Sequence, residues 1–382
     1  MNQPIKLIFA GGALALNLLG VAAAAGPFED GAAAVQRGDY AAALQLWRPL
    51  ADSGNPEAQF NLGIMYDNGQ GVPQNYLLAA AWYRKAADQG IAAAQFNLGV
   101  MYTRGQGLAQ DYPQAVVWQR KAAEQGYAPA QVNLAVKYAE GQGVPQDYAL
   151  AAAWYGKAAA QGDAGAQGAL GLMYDRGQGV PQDYAQAIAW LRKAADQGHA
   201  DAQFNLGLMY DTGQGVPRNF PQAALWYRKA AGRGQVTAQY NLGVMSERGD
   251  GVPQDYAEAL KWYREAAELG NADAEDALGL IYDRGQGVPQ DYAQALTWYR
   301  KAANRGNAGA QYNLGLMYAK GNGVPKDYVR AHMWFNLAAS RFSAADAAGR
   351  EKAVKNRDLA ATKMTPAQIT EAQRLAREWV QK

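Results

Sequence analysis

Eight tryptophans set the organisation of this chain. Trp82, Trp118, Trp154, Trp190, Trp226, Trp262, Trp298 and Trp334 follow one another at intervals of 36 residues, and Trp47 precedes them by 35. Other columns keep the same register: Ala58, Ala94, Ala130, Ala166, Ala202, Ala238, Ala274 and Ala310 form one, and Leu62, Leu98, Leu134, Leu170, Leu206, Leu242, Leu278 and Leu314 another. A period of this length, repeated without a gap, marks stacked supersecondary units, each too small to bury its own apolar face. The usual division of 382 residues into two or three globular domains does not apply.

One unit, read from Pro56 to Gly90, contains two helices. Ala58, Leu62, Met65 and Tyr66 recur at helical spacing and form one apolar face. Gly63 lies beside Leu62, where a missing side chain lets a neighbouring helix approach. Gly69-Gln70-Gly71 suits the left-handed backbone of a helix end, and Pro73 prevents the helix from continuing. A second helix starts at Asn75, which is Asp in most other units. Asp183 with Gln186, Asp255 with Glu258 and Asp291 with Gln294 have the spacing of a capping box. Pro113 and Pro221 fall in the first turn, where proline is tolerated. Ala79, Trp82, Tyr83 and Ala86 form the buried stripe, Lys85 complements the dipole of the last turn, and Gly90 ends the helix. The prediction is an all-α solenoid of tandem antiparallel helix pairs.

These motifs resemble the Sel-1-like repeat, a longer relative of the tetratricopeptide repeat. The unit from Ala202 carries the pattern: Leu206, Gly207, Tyr210, Gly213, Gly215, Val216, Ala223, Trp226, Tyr227, Lys229, Ala230, Ala231 and Gly234, with Asn219 in place of Asp. The resemblance covers about residues 56–340 and implies a right-handed superhelix whose first helices line a concave side. Departures are local: Ala135 for Gly, Ser246 for Tyr, Gln119 and Leu191 for Tyr, and Glu265 for Lys. The domain reading is a signal peptide over 1–25, a helical cap over 26–55, eight repeats over 56–342 and a second cap over 343–382. In the first cap Arg37-Gly38-Asp39-Tyr40 makes a tight turn before Ala43, Trp47 and Leu50. In the second, Thr365-Pro366-Ala367-Gln368 starts an amphipathic helix carrying Ile369, Ala372, Leu375, Ala376 and Trp379.

The first 25 residues have the order of a secretory signal. Lys6 precedes an apolar run from Leu7 to Val21, and the small residues Ala22 to Ala25 follow. Cleavage is expected after Ala25, leaving a periplasmic or secreted protein with no stable membrane span. The run is short for a membrane anchor. Cys is absent, which excludes disulfides, thiolate metal sites and a lipid-modified cysteine. The net charge of +2, without a Lys/Arg cluster, argues against nucleic acid as a partner.

Catalytic candidates are few. His199 falls in a turn between units and His332 in the last second helix, each alone, and both are read as surface residues. The repeated Gly-x-Gly follows a helix, not a strand, so it is no phosphate cradle. No catalytic residue, metal site or cofactor is expected, and no enzymatic activity. Family members with enzymatic claims are cysteine-rich, unlike this chain.

The face of the first helix opposite its core stripe is more informative. It carries an aromatic column (Phe60, Phe96, Phe204, Tyr240 and Tyr312), interrupted by Val132, Gly168 and Asp276, and an aliphatic one that includes Ile64, Val100, Leu208, Val244 and Leu316. A helix apolar on both sides either packs on both or exposes a patch for a partner. The family's geometry puts this face in the concave groove, where Asp67, Asp175, Asp211 and Asp283 would suit an extended peptide or partner helix. The neighbouring column Asn61, Asn97, Asn133, Asn205, Asn241 and Asn313 reads as joining adjacent helices. The reading is a non-enzymatic envelope scaffold that binds a protein or peptide along the concave face. A cell-wall or lactam-directed hydrolase and a structural spacer are the alternatives.

Overall fold

The computed structural model describes residues 26–380, so the expected signal segment and the cleavage point after Ala25 lie outside the described residues. Within them are helices, turns and no strand. The chain forms two compact units, one ending at Lys193 and the other starting at Ala194. The first contains α1 (Pro27–Gln36), α2 (Tyr40–Asp52), α3 (Pro56–Asn68), α4 (Tyr76–Asp88), α5 (Ala92–Arg104), α6 (Tyr112–Glu124), α7 (Ala128–Glu140), α8 (Tyr148–Ala160), α9 (Ala164–Arg176) and most of α10 (Tyr184–Asp196). The second continues with α11 (Ala200–Thr212), α12 (Phe220–Ala231), α13 (Val236–Arg248), α14 (Tyr256–Glu268), α15 (Ala272–Arg284), α16 (Tyr292–Asn304), α17 (Ala308–Lys320), α18 (Tyr328–Arg341), a 3-10 turn over Ala344–Asp346, α19 (Ala347–Ala361) and α20 (Pro366–Val380). Within each unit a helix packs mainly on its neighbours in the chain, the arrangement expected of a tandem repeat.

Local chemistry sets the helix ends. The carboxamide of Asn75 accepts from Leu78 N at 3.0 Å, and Asp111, Asp147 and Asp327 make the same bond at the starts of α6, α8 and α18. Asp255 caps α14, but the reciprocal half of the expected box is not made: the Glu258 carboxylate accepts from Trp262 Nε1 at 2.8 Å. The box closes in both directions at Thr365 and Gln368. The two loop glycines have different jobs. Gly69 ends α3 at φ +70°, whereas Gly71 lies against Tyr40, so close that an added Cβ would fall 2.7 Å from the Tyr40 Cβ.

The core follows the predicted stripes. Ala58, Leu62, Leu98, Leu206, Leu242 and their partners Tyr83 and Tyr227 are fully buried. The six Trp–Lys pairs at i,i+3 stack, with Lys157 Nζ 3.8 Å from the Trp154 ring centroid and Lys85 Nζ 4.1 Å from that of Trp82. Lys85 therefore covers the indole as well as serving the helix end. At the far end, Trp379 of α20 meets Trp334 edge-on at 5.8 Å. His332 is not a surface residue: it is buried in α18, with Arg357 and Asp358 of α19 as nearby charges, and burial lowers its pKa.

Candidate interaction surface

Three columns of each first helix decide what its outer face can do. The aromatic column turns inward more than an ideal helix suggests. Phe60 meets the Tyr83 ring at 5.9 Å, Phe204 meets Tyr227 at 5.8 Å, Tyr240 meets Tyr263 at 5.8 Å and Tyr312 meets Phe335 at 5.6 Å. Each ring therefore packs on the second helix of its own repeat, within the roughly 4.5–7 Å centroid range of interacting aromatic pairs. Phe96 differs and meets Tyr127. Phe60 and Ile64 are buried, at 4% and 0% exposure, and present no surface. Phe96, Phe204, Tyr240 and Tyr312 are half-buried.

The aliphatic column behaves differently. Val100, Leu208, Val244 and Leu316 are half-buried, as are Val136, Leu172 and Leu280 at equivalent positions. The leucines of the inner stripe two residues before them, by contrast, are almost wholly buried. Within each compact unit the first helices thus carry an apolar row with part of each side chain open to solvent.

The carboxylates next along are partly used within the fold. Tyr83 Oη donates to Asp67 at 3.2 Å, Tyr227 to Asp211 at 3.3 Å and Tyr263 to Glu247 at 2.7 Å. Burial raises the pKa of Asp67, and the Tyr83 hydroxyl and Arg104 oppose that rise. Burial and the adjacent carboxylate together push the Tyr83 hydroxyl well above its ordinary value. The Asn column joins helices in at least one place, where Asn313 Nδ2 donates to Asp276 at 3.0 Å between α17 and α15.

Sequence reasoning missed a column of buried glutamines on the inner side of the same helices. Gln95 Nε2 donates to Ala87 O at 3.1 Å, Gln131 to Ala123 O at 3.1 Å, Gln203 to Ala195 O at 2.9 Å and Gln311 to Ala303 O at 3.2 Å. Each bond ties a first helix to the end of the preceding second helix. Recurrence at the 36-residue period is the signal that would have found it. His199 is a cap: its Nδ1 accepts from Ala202 N at 3.3 Å. Among the described residues no group of three or more His, Asp or Glu side chains is arranged to hold a metal ion, and no helix is long and apolar enough to cross a membrane.

Helix pairs at a fixed sequence period, with backbone ties and aromatic packing that recur from repeat to repeat, define a helical-repeat scaffold. The chain belongs to the Sel1 repeat family, whose model matches residues 13–55, 56–91, 92–127, 128–163, 164–199, 200–235, 236–271, 272–307 and 308–341. The pair α1–α2 is thus matched as a further repeat. A Sel1 repeat protein of Oxalobacter formigenes is 34% identical over 63% of this chain and 97% of its own, with a TM-score of 0.57. A protective antigen of uropathogenic Escherichia coli strains is 33% identical over 93% of this chain and 91% of its own, with a TM-score of 0.46. No curated protein matches the chain.

Proposed function

We propose that this chain is a non-enzymatic scaffold of the bacterial envelope, binding a protein or peptide partner along the concave face formed by its first helices. The observation that carries this reading is the aliphatic strip. Seven of its eight positions stay half-buried, whereas the leucine stripe two residues before them is almost wholly buried. A recurring row of partly open aliphatic side chains is the kind of surface a partner covers. A spacer would gain nothing from it, so the same strip speaks against a purely structural role. Carboxylates and arginines along the next two columns supply a polar rim of the kind that orients a partner. Location in the periplasm or outside the cell is supported by the signal-like order of the first 25 residues.

The test is partner capture from an envelope extract by the chain and by a variant with Leu208, Val244 and Leu316 changed to Ser. Circular dichroism first establishes that both are equally helical. The expected result is a defined partner retained by the parent chain and lost by the folded variant. Equal capture by both would move the binding surface off this face.

A further inference from the structure

Building on the groove reading, we propose that a cavity between α5, α6 and α7 receives a tyrosine side chain of the partner. Four units show how this fold treats a phenol. A second-helix tyrosine lies on the first-helix glycine, and its hydroxyl donates to a carboxylate one turn on: Tyr83 to Asp67, Tyr227 to Asp211, Tyr263 to Glu247 and Tyr299 to Asp283. In the unit of α5 and α6 both members of that pair are replaced, with Gln119 at the tyrosine position and Thr103 at the carboxylate position.

Gln119 begins along the same path, its Cγ 2.6 Å from where a Cβ on Gly99 would stand, but it has no ring. Phe96, whose counterparts pack on that ring, has turned to Tyr127 at 5.5 Å. What remains is a cavity of about 200 Å³, lined by Val100, Thr103, Arg104, Gln119, Asn133 and Val136 among others. It is several times the ~30 Å³ share of a water molecule. A third departure falls in the same lining: Lys137 occupies the column that holds Met65, Met101, Met173 and Met209 elsewhere.

The lining chemistry matches the missing group. Val100 and Val136 supply the apolar part of the lining against which a ring can pack. Gln119 is 1% exposed and its Oε1 has no hydrogen-bond partner, so the cavity presents a buried acceptor in want of a donor. A phenolic O–H supplies that donor, and Arg104 and Asn133 bring donors for the phenol oxygen. A phenylalanine would fill the walls and leave Gln119 unpaired, and a carboxylate would neither use the walls nor donate.

The test uses p-cresol, which is the tyrosine side chain cut at Cβ, titrated into the full chain and followed by ligand-observed NMR, with toluene as the comparison. p-Cresol is expected to bind at least about tenfold more tightly than toluene, because a site built around a hydrogen bond rejects the analogue that lacks it. Gln119→Tyr combined with Thr103→Asp restores the array's own phenol–carboxylate pair; it is expected to stay folded and to lose p-cresol by about tenfold or more. Gln119→Leu keeps the cavity open and is expected to erase the preference over toluene. Undiminished binding by the double variant, equal binding of toluene to the parent, or no p-cresol binding at millimolar concentration would each overturn the pocket. The serine variant of the groove leaves this lining intact, so failure of p-cresol to bind is distinct from failure of the groove reading.

Discussion

Gly63 and its equivalents lie where a second-helix side chain crosses the first helix. An added Cβ would fall 2.5 Å from Tyr83 at Gly63, 2.5 Å from Tyr227 at Gly207 and 2.4 Å from Tyr299 at Gly279, distances that real methyl groups do not reach. The chain contains its own substitution at this column. Ala135 stands where the others have glycine, and its partner Tyr155 is half-buried, whereas Tyr83, Tyr227, Tyr263 and Tyr299 are at most 1% exposed. Of the five tyrosines in that column, the one opposite alanine is the one left partly exposed. Asp276 is the other telling residue, because it occupies the aromatic column. Burial raises its carboxyl from 3.8 to about 6, reinforced by Asp273, while the Asn313 hydrogen bond and Arg284 pull the other way. The folded state therefore holds this proton more tightly than the unfolded chain does. Its contribution to stability is most favourable below pH 4 and is lost as pH rises from 4 through 6. Asp276→Asn, which keeps an acceptor for Asn313, is expected to gain on the order of 1–3 kcal/mol at pH 8 and nothing below pH 4. Urea unfolding of both proteins at the two pH values measures the difference, and equal stability at pH 8 would refute it.

Each first helix is tied to the preceding second helix by a glutamine, and one tie in the series is rewritten. Glu275 takes the glutamine position in α15 and cannot donate to Ala267 O as its counterparts do at their carbonyls. Arg305 answers it with an ion pair at 3.2 Å, where Gln89, Gln125 and Gln161 elsewhere donate to the column glutamine at 2.8 Å. The Glu275 side chain is 2% exposed and its Oε2 has no partner, while Arg305 is 53% exposed. A carboxylate buried this deeply recovers little of its lost hydration from a partner that stays half in water. Glu275→Gln is expected to stabilise the chain by about 1 kcal/mol, since the amide can both donate to Ala267 O and accept from Arg305. Arg305→Ala is expected to cost about 2 kcal/mol in the parent and under about 0.5 kcal/mol beside Glu275→Gln. A double-mutant cycle by chemical denaturation reads all three values, and an equal cost of Arg305→Ala in both backgrounds would show that the pair is uncoupled.

The period of the columns makes most of this architecture legible in the sequence, because most columns keep one job from repeat to repeat. His332 shows how far that logic reaches: it occupies the column of Ala80, Val116, Ala152 and Ala224, all buried, so its register, and not its isolation among the polar residues, is the guide to its burial. Outside the repeats the logic stops. α19 went unread because its sequence is polar and only Ala353 and Ala360 are buried along it. The candidate face was legible as apolar, but the depth of Phe60 and Ile64 was not, since burial there depends on how neighbouring helices lean together and no single unit encodes that. A modular array should also survive loss of a whole module. Deleting residues 272–307 joins Asn271 to Ala308 and keeps every column in register. Asn271, which now caps α15 by accepting from Ala274 N at 2.8 Å, would cap α17 by accepting from Ala310 N. Gln311 would find Ala267 O where it now finds Ala303 O, and the deletion removes both Glu275 and Asp276. Since stability in such arrays is nearly a sum of unit and nearest-neighbour terms, the shortened chain is expected to keep the parent's helicity per residue and a single cooperative transition. Deleting only residues 272–289, half a unit, would instead leave two second helices in succession and break the register of every contact beyond. Circular dichroism and urea unfolding of the two deletions decide it: if the whole-unit deletion unfolds as readily as the half-unit one, the units are not interchangeable modules.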